Sequence, residues 1–334
     1  MSFRIPSPRQ LAVTLVALLT LVIATTACSN GGEKTFDQLV VALDWYPNAD
    51  HAGIYAALAK GYFAEEGLAV ILQVPANPED PPKFVATDQV DVAISYQPDV
   101  IQAKAQGIPI TAIGAIVPVP LNSIQTLQTS GLTQPGHLAG KRIGYPGIPS
   151  NEVYLETILR GAGVDPSSVE LINVGFDLGP ALRAGRVDAT IGTYWNVEAV
   201  QADMLGFPVN VLHLEDYGVP AYDELVFIAS ETGVEKKSDK LRRFLRAVSR
   251  GHSYTIENPE AAIDAVADAN PEMERELIAR GVGLLVEVWS RSGKFGLMSQ
   301  PRWEEFVTFL RDNSLLDSEI NFDTLLTNKF VPAS

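Results

Sequence analysis

The sequence contains a single cysteine, Cys28, close to its amino terminus. One thiol leaves nothing for an internal disulfide or a paired-cysteine metal or redox site. Histidine is nearly as scarce: His51, His137, His213 and His252 are scattered singly, which does not give the spacing of a His-based metal site. The chain has no Gly-rich phosphate loop, no Gly-x-Ser-x-Gly elbow and no His-Glu-x-x-His pair, so the signatures of phosphate cradling, acyl transfer and zinc hydrolysis are missing. Bases are outnumbered, with 25 Lys and Arg against 40 Asp and Glu, and no basic cluster is read beyond the first ten residues. Nucleic-acid binding needs clustered cations against phosphate, so that class is set aside. Repeat arrays and low-complexity tracts are absent as well. What is present is a globular profile, 46% hydrophobic and 19% charged over 334 residues, enough for two ordinary domains.

The first 27 residues read as an export signal. Arg4 and Arg9 form a basic start, and Leu11 to Ile23 is an apolar run too short for a comfortable membrane span. Ala24-Thr25-Thr26-Ala27 then leads into Cys28, placed where a lipoprotein signal peptidase would leave it as the new first residue. The pattern departs from the usual lipobox at Thr25, where Leu is commonest. A diacylglycerol thioether on Cys28, with further acylation such as palmitate, would anchor a soluble domain to a bilayer. Cleavage removes two Arg and no acid, leaving 23 bases against 40 acids. Residues 28–36 read as a polar tether.

From Leu39 onward short apolar runs alternate with helical stretches, an α/β pattern. Strands are expected over 40–43, 69–74, 90–94, 141–145, 169–174 and 188–192, and helices over 51–60 and from an N-cap at Ser150 to about Gly161. Two segments echo each other. The run from Phe84 to Ile94 carries Val90-Asp91 into a buried strand, and the run from Leu182 to Ile191 carries Val187-Asp188 into another. The first strand is followed by Ser95-Tyr96-Gln97 and the second by Thr193-Tyr194-Trp195-Asn196. This is the pattern of two lobes of one design. Ligands of open α/β sheets sit beyond the carboxyl ends of strands, so two facing lobes would share one cleft. The expected division is lobe 1 over 37–116, lobe 2 over 117–226, and a helical portion over 227–334 returning to lobe 1, with hinges near 113–117 and 226–229. Helices are expected over 241–255, 259–269, 271–285 and 303–310.

Aromatic and amide residues at strand ends are the informative features. Trp45 and Asn48 follow the first strand, offering a stacking face and a two-way hydrogen-bonding amide. Tyr194, Trp195, Asn196 and Glu198 offer the same equipment from the other lobe. Such a set suits a flat heterocycle with several polar edges. His51, Ser95, Tyr96, Asn122, Tyr145, Ser150, Tyr222 and Asp223 complete the candidate ligand-binding residues. Tyr46, Tyr55 and Tyr62 are as readily core, and Tyr62-Phe63 reads as a packing element. No catalytic residue, cofactor or metal is expected.

The block Leu43-Asp44-Trp45-Tyr46-Pro47-Asn48, His51 to Tyr55 and Lys60 to Leu68 resembles the start of the thiamine pyrimidine synthase-like family of solute-binding proteins. Val90 to Tyr96 and Asn258-Pro259-Glu260 match later positions, so the similarity runs from about Leu39 to Phe330. The resemblance implies a periplasmic-binding-protein fold, two lobes joined by a hinge around a ligand cleft. It also implies a vitamin or vitamin-precursor ligand, and a membrane permease and cytoplasmic ATPase as partners at the extracytoplasmic face. Residues 147–152, 194–198 and 216–225 look more like the riboflavin-binding branch than the branch that binds a formylated aminopyrimidine. Glu198 falls where the aminopyrimidine branch is expected to set a carboxylate on the ring, so it does not separate the two. An enzyme of the same family is expected to carry a lysine for pyridoxal phosphate and a histidine where this chain has Ser95 and Asp99. Serine cannot form a Schiff base.

Lipidation at Cys28 makes a direct prediction. Cys28→Ser should release the protein from the membrane fraction, and a variant that stays membrane-bound in fractionation would show that the anchor is something else.

Overall fold

A computed structural model describes residues 35–333, so the expected export signal and Cys28 lie outside the described residues. Ten strands follow in chain order: β1 (Asp37–Ala42), β2 (Leu68–Gln73), β3 (Val92–Ser95), β4 (Ile110–Val117), β5 (Asn122–Leu127), β6 (Arg142–Tyr145), β7 (Glu170–Asn173), β8 (Ala189–Tyr194), β9 (Val209–His213) and β10 (Leu225–Ser230). They form two five-stranded sheets, ordered β2-β1-β3-β10-β4 and β7-β6-β8-β5-β9. In each sheet three strands run parallel. The fourth in order is antiparallel to its neighbours and is the strand arriving from the other sheet.

The sequence echo has a structural cause. The Asp91 carboxylate accepts from the Val40 backbone N–H at 3.0 Å, while its own N–H donates to Val40 O. Asp188 repeats this on Arg142, with the carboxylate contact at 2.9 Å. In both lobes a Val-Asp pair delivers a buried valine and then caps the neighbouring parallel strand, fixing register where the strand begins.

The stretches expected as hinges, 113–117 and 226–229, are strand interiors that pair with each other in the first sheet. The chain passes between the sheets just beyond them, through residues 118–121 and 214–224. The apolar run Ile110–Val117 is buried at every position, the mark of a strand covered on both faces. It shows no alternation, which is why a periodicity reading passes over it. The helix Gln97–Ala105 likewise lies outside the expected elements. The helix after β6 spans Pro149–Gly161 and its N-cap is Ile148, so Ser150 sits one position inside the first turn.

After β10 the chain is helical. Ser238–Glu257 lays its apolar stripe (Leu241, Phe244, Leu245, Val248) on the first sheet and on the helix Ala52–Ala59. Phe244 stacks on Phe63 at 5.7 Å, so Tyr62-Phe63 is a packing element. The outer face of this helix corrects one expectation, because it carries a stripe of bases. Lys240, Arg243, Arg246 and Arg250 pair with Asp91, Asp37, Glu66 and Glu65, so the stripe is neutralised on the spot. Among the described residues no helix is long and apolar enough to cross a membrane.

Gly251 is where the two helices touch. A Cβ there would stand 2.1 Å from Gly53 O and 2.7 Å from the Ala57 Cβ. Gly251→Ala should therefore cost about 3 kcal/mol or more, at the upper end of overpacking effects. Gly283→Ala, on the helix Arg275–Arg291 with nothing within 4 Å, should instead stabilise by roughly 0.5–1 kcal/mol. Urea unfolding of both variants checks the contrast.

Candidate functional site

The carboxyl ends of β1, β3, β6 and β8 face one another across the two sheets, and a pocket opens between them. It is lined by Asp44, Trp45, Asn48 and Tyr96 from the first lobe. The second lobe contributes Asn122, Ile148, Ser150, Asn151, Gly192, Tyr194 and Glu198, and Glu224 comes from the segment leading into β10.

The loop after β1 is built around a buried histidine. Asn48 accepts from Asp50 N–H at 2.8 Å and caps the short 3₁₀ turn Ala49–His51. His51 Nδ1 accepts from the Asn48 backbone N–H at 3.2 Å, which assigns the ring proton to Nε2, and Nε2 donates to Asp44 Oδ1 at 2.9 Å. The other oxygen of Asp44 accepts from Tyr96 OH at 3.1 Å. His51 is thus a support behind the wall, while Asp44, Trp45 and Asn48 form the wall itself.

On the opposite lobe Asn122 accepts from Gly192 N–H at 2.9 Å and donates to Asn151 Oδ1 at 2.7 Å. Gly192 has φ +91°, and a Cβ there would meet Pro146 at 2.7 Å, so this turn requires glycine. Tyr194 donates its backbone N–H to Glu198 at 2.7 Å and its hydroxyl to Glu224 at 3.1 Å. Buried hydrogen bonds join the lobes: Asn196 donates to Asp50 at 2.7 Å, and Ser150 donates to Asp99 through its hydroxyl at 2.7 Å and its backbone N–H at 3.3 Å. Burial pushes Asp50 and Glu198 up to about 7 and Asp99 to about 6, with these hydrogen bonds opposing the rise.

Of the residues named from sequence, Trp45, Asn48, Tyr96, Asn122, Ser150, Tyr194 and Glu198 line the pocket together. The others are placed elsewhere. Trp195 turns its indole N–H to Pro120 O at 3.1 Å, pinning the crossing segment. Asn196 bridges the lobes outside the pocket. Ser95 is buried with its hydroxyl unpartnered and faces a neighbouring space beside the helix Gln97–Ala105. Tyr145 lies at the end of β6 away from the lining. Tyr222 stacks on Tyr154 at 5.4 Å in the core. Asp223 accepts from Trp303 at 2.8 Å and pairs with Arg302. Asp44, Ile148, Asn151, Gly192 and Glu224 were not named. All lie within two positions of named residues, but whether a strand-end residue points inward depends on the turn that follows. Among the described residues no cluster of three metal-ligating side chains occurs.

A family described as NMT1/THI5 like matches residues 48–262. A formylaminopyrimidine-binding protein of Halalkalibacterium halodurans is 36% identical over 314 residues, covering 92% of this chain and 95% of that protein. A 4-amino-5-hydroxymethyl-2-methylpyrimidine phosphate synthase of Legionella pneumophila is 26% identical, covering 88% and 92%. Among solved structures, the alkanesulfonate-binding protein SsuA of Xanthomonas axonopodis pv. citri superposes with a TM-score of 0.69 at 14% identity, covering 87% of this chain and 98% of that one. The architecture is that of periplasmic binding proteins.

The raised pKa of Glu198 has a consequence for stability. Its ordinary range is near pH 4.5. The folded chain therefore favours the protonated form and loses that advantage as pH rises from about 4 through about 7. Glu198→Gln, which mimics the protonated carboxyl, should raise the melting temperature at pH 8 by the equivalent of about 1–2 kcal/mol and leave it nearly unchanged at pH 4.5. Calorimetry at the two pH values decides it.

Proposed function

Because this chain belongs to the NMT1/THI5-like family, we propose that it is the extracytoplasmic solute-binding subunit of an ABC importer and that its solute is an aminopyrimidine of the formylaminopyrimidine kind. The observation that carries this reading is the pocket's chemistry. Three aromatic residues, Trp45, Tyr96 and Tyr194, stand beside three carboxyl groups, Asp44, Glu198 and Glu224, and a set of amides, with no lysine or arginine in the lining. Such a wall accepts more hydrogen bonds than it donates and suits a ring bearing exocyclic amines. A carboxyl poised near neutrality can share its proton with a ring nitrogen while accepting from the adjacent amine. The similarity to a formylaminopyrimidine-binding protein over nearly the whole chain supports the same reading. The riboflavin expectation drawn from residues 147–152, 194–198 and 216–225 gains no support from the relatives.

Some relatives are named as pyrimidine phosphate synthases. Ser95 and Asp99 argue against that activity here, since serine offers no amine for an aldimine and Asp99 is engaged with Ser150. Capture by closure, followed by docking on a permease and its ATPase, is the function this arrangement serves. The two lobes close over the solute, and the solute supplies the differential affinity for the closed form.

Titration calorimetry tests the reading. Formylaminopyrimidine should bind, Trp45→Ala should weaken it by about tenfold or more, and riboflavin should give neither heat nor fluorescence quenching. If the proton of Glu198 is shared with the ring, the complex holds one proton more than the separated partners above pH 7. Affinity should then fall by up to about tenfold per pH unit above about 7. Tight riboflavin binding without pyrimidine binding would reverse the assignment.

A further inference from the structure

The pocket does not end at its lining. Trp45, Asn48 and Glu198 also line a second, wider groove of about 390 Å³ that opens outward between the lobes and is floored by Met273, Leu277 and Ile278. Phe176, from the loop after β7, sets its ring 4.5 Å from both Trp45 and Tyr46, so three aromatic rings from two lobes stand at the junction. Tyr46 keeps 53% of its surface exposed, an unusual exposure for an aromatic placed in a cleft. Glu272 and Glu274 complete the wall. Neither is ion-paired among the described residues, and no Lys or Arg lines the groove. Aromatic faces flanked by unneutralised carboxylates attract organic cations, because the ring quadrupole and the carboxylate field act in the same direction.

We propose that this groove is a second compartment of the same binding site, which takes a cationic heteroaromatic substituent carried by the aminopyrimidine ring. The inference rests on the aminopyrimidine reading above and extends it to a larger ligand class. The ring would occupy the inner pocket against Trp45 and Glu198, and the substituent would pass between Trp45 and Glu198 into the groove. Thiamine is a suitable probe, being an aminopyrimidine joined by one methylene to a thiazolium cation.

The experiment compares thiamine with formylaminopyrimidine by calorimetry on the mature protein. Thiamine should bind, with an affinity that falls more steeply with salt than that of the uncharged ligand. The double variant Glu272→Gln/Glu274→Gln should weaken thiamine by about threefold or more. Tyr46→Ala should weaken it by about fivefold or more. In both variants formylaminopyrimidine should stay within about twofold of its original affinity, which also shows that they are folded. Formylaminopyrimidine binding with no thiamine binding would overturn the second compartment and leave the proposed function standing. So would an equal loss for both ligands in these variants. Binding of neither ligand would overturn the aminopyrimidine reading and this inference with it.

Discussion

The Glu224 carboxylate is 2% exposed and accepts four hydrogen bonds. Two come from the backbone N–H groups of Leu121 and Asn122, at 2.7 and 2.9 Å, and two from the hydroxyls of Tyr222 and Tyr194, at 3.0 and 3.1 Å. Leu121 and Asn122 end the first passage between the sheets, and Glu224 ends the second. One buried carboxylate therefore ties the two passages together, at the place where β5 and β10 enter sheets they do not otherwise belong to. Burial pushes Glu224 up to about 7, and the four donors oppose it. Donors aimed at both oxygens are what an ionised carboxylate needs in order to stay buried. Removing it would leave two backbone N–H groups and two hydroxyls without partners, a larger loss than any one hydrogen bond.

The same residue reaches the pocket. Glu224 is part of the lining, Tyr194 carries its hydroxyl to it, and Asn122 continues from it to Gly192 and Asn151. The wall of the second lobe is thus built outward from the joint between lobes. The wall of the first lobe is built from its own loop, through His51, Asp44 and Tyr96. The Trp45 wall and the Glu198 wall are thus held by separate sets of hydrogen bonds.

The α/β alternation and the paired Val-Asp signals were legible in the sequence because they rest on local rules: burial period, turn residues and a side chain that caps its neighbouring strand. Trp45, Asn48, Tyr194 and Glu198 were legible for the same reason, as polar or aromatic residues just beyond apolar runs. Non-local facts were not. β4 and β10 are buried throughout, and nothing in Ile110–Val117 says that its partner lies over a hundred residues away. Trp195 resembles Trp45 in its sequence setting, yet a single backbone acceptor, Pro120 O, turns it to the joint. The roles of Asp50, Asp99 and Glu224 were hidden because each depends on a partner in the other lobe or the other crossing. The basic stripe of Ser238–Glu257 escaped notice because helical spacing spreads its members along the chain while gathering them on one face.

Closure has an electrostatic cost that decides what can close the lobes. With the lobes as arranged here, Asp50, Asp99 and Glu198 are all held above the usual carboxylate range by burial. Across the cleft Asn196 gives Asp50 one donor and Ser150 gives Asp99 two, and a net hydrogen bond to a charged group is worth about 1.5–3 kcal/mol. Those contacts offset part of the desolvation whatever the pocket contains. Glu198 is different, because its donor is the Tyr194 N–H of its own lobe, which it has whether the lobes are open or closed. Its added desolvation on closure is met only by the solute. A solute without a donor for Glu198 would leave that cost standing, and a ring that presents an amine beside a protonatable nitrogen would remove it. Among the pocket carboxyls Glu198 has one donor, Tyr194 N–H, where Asp44 has two and Glu224 four, so the discrimination between solutes resides at Glu198.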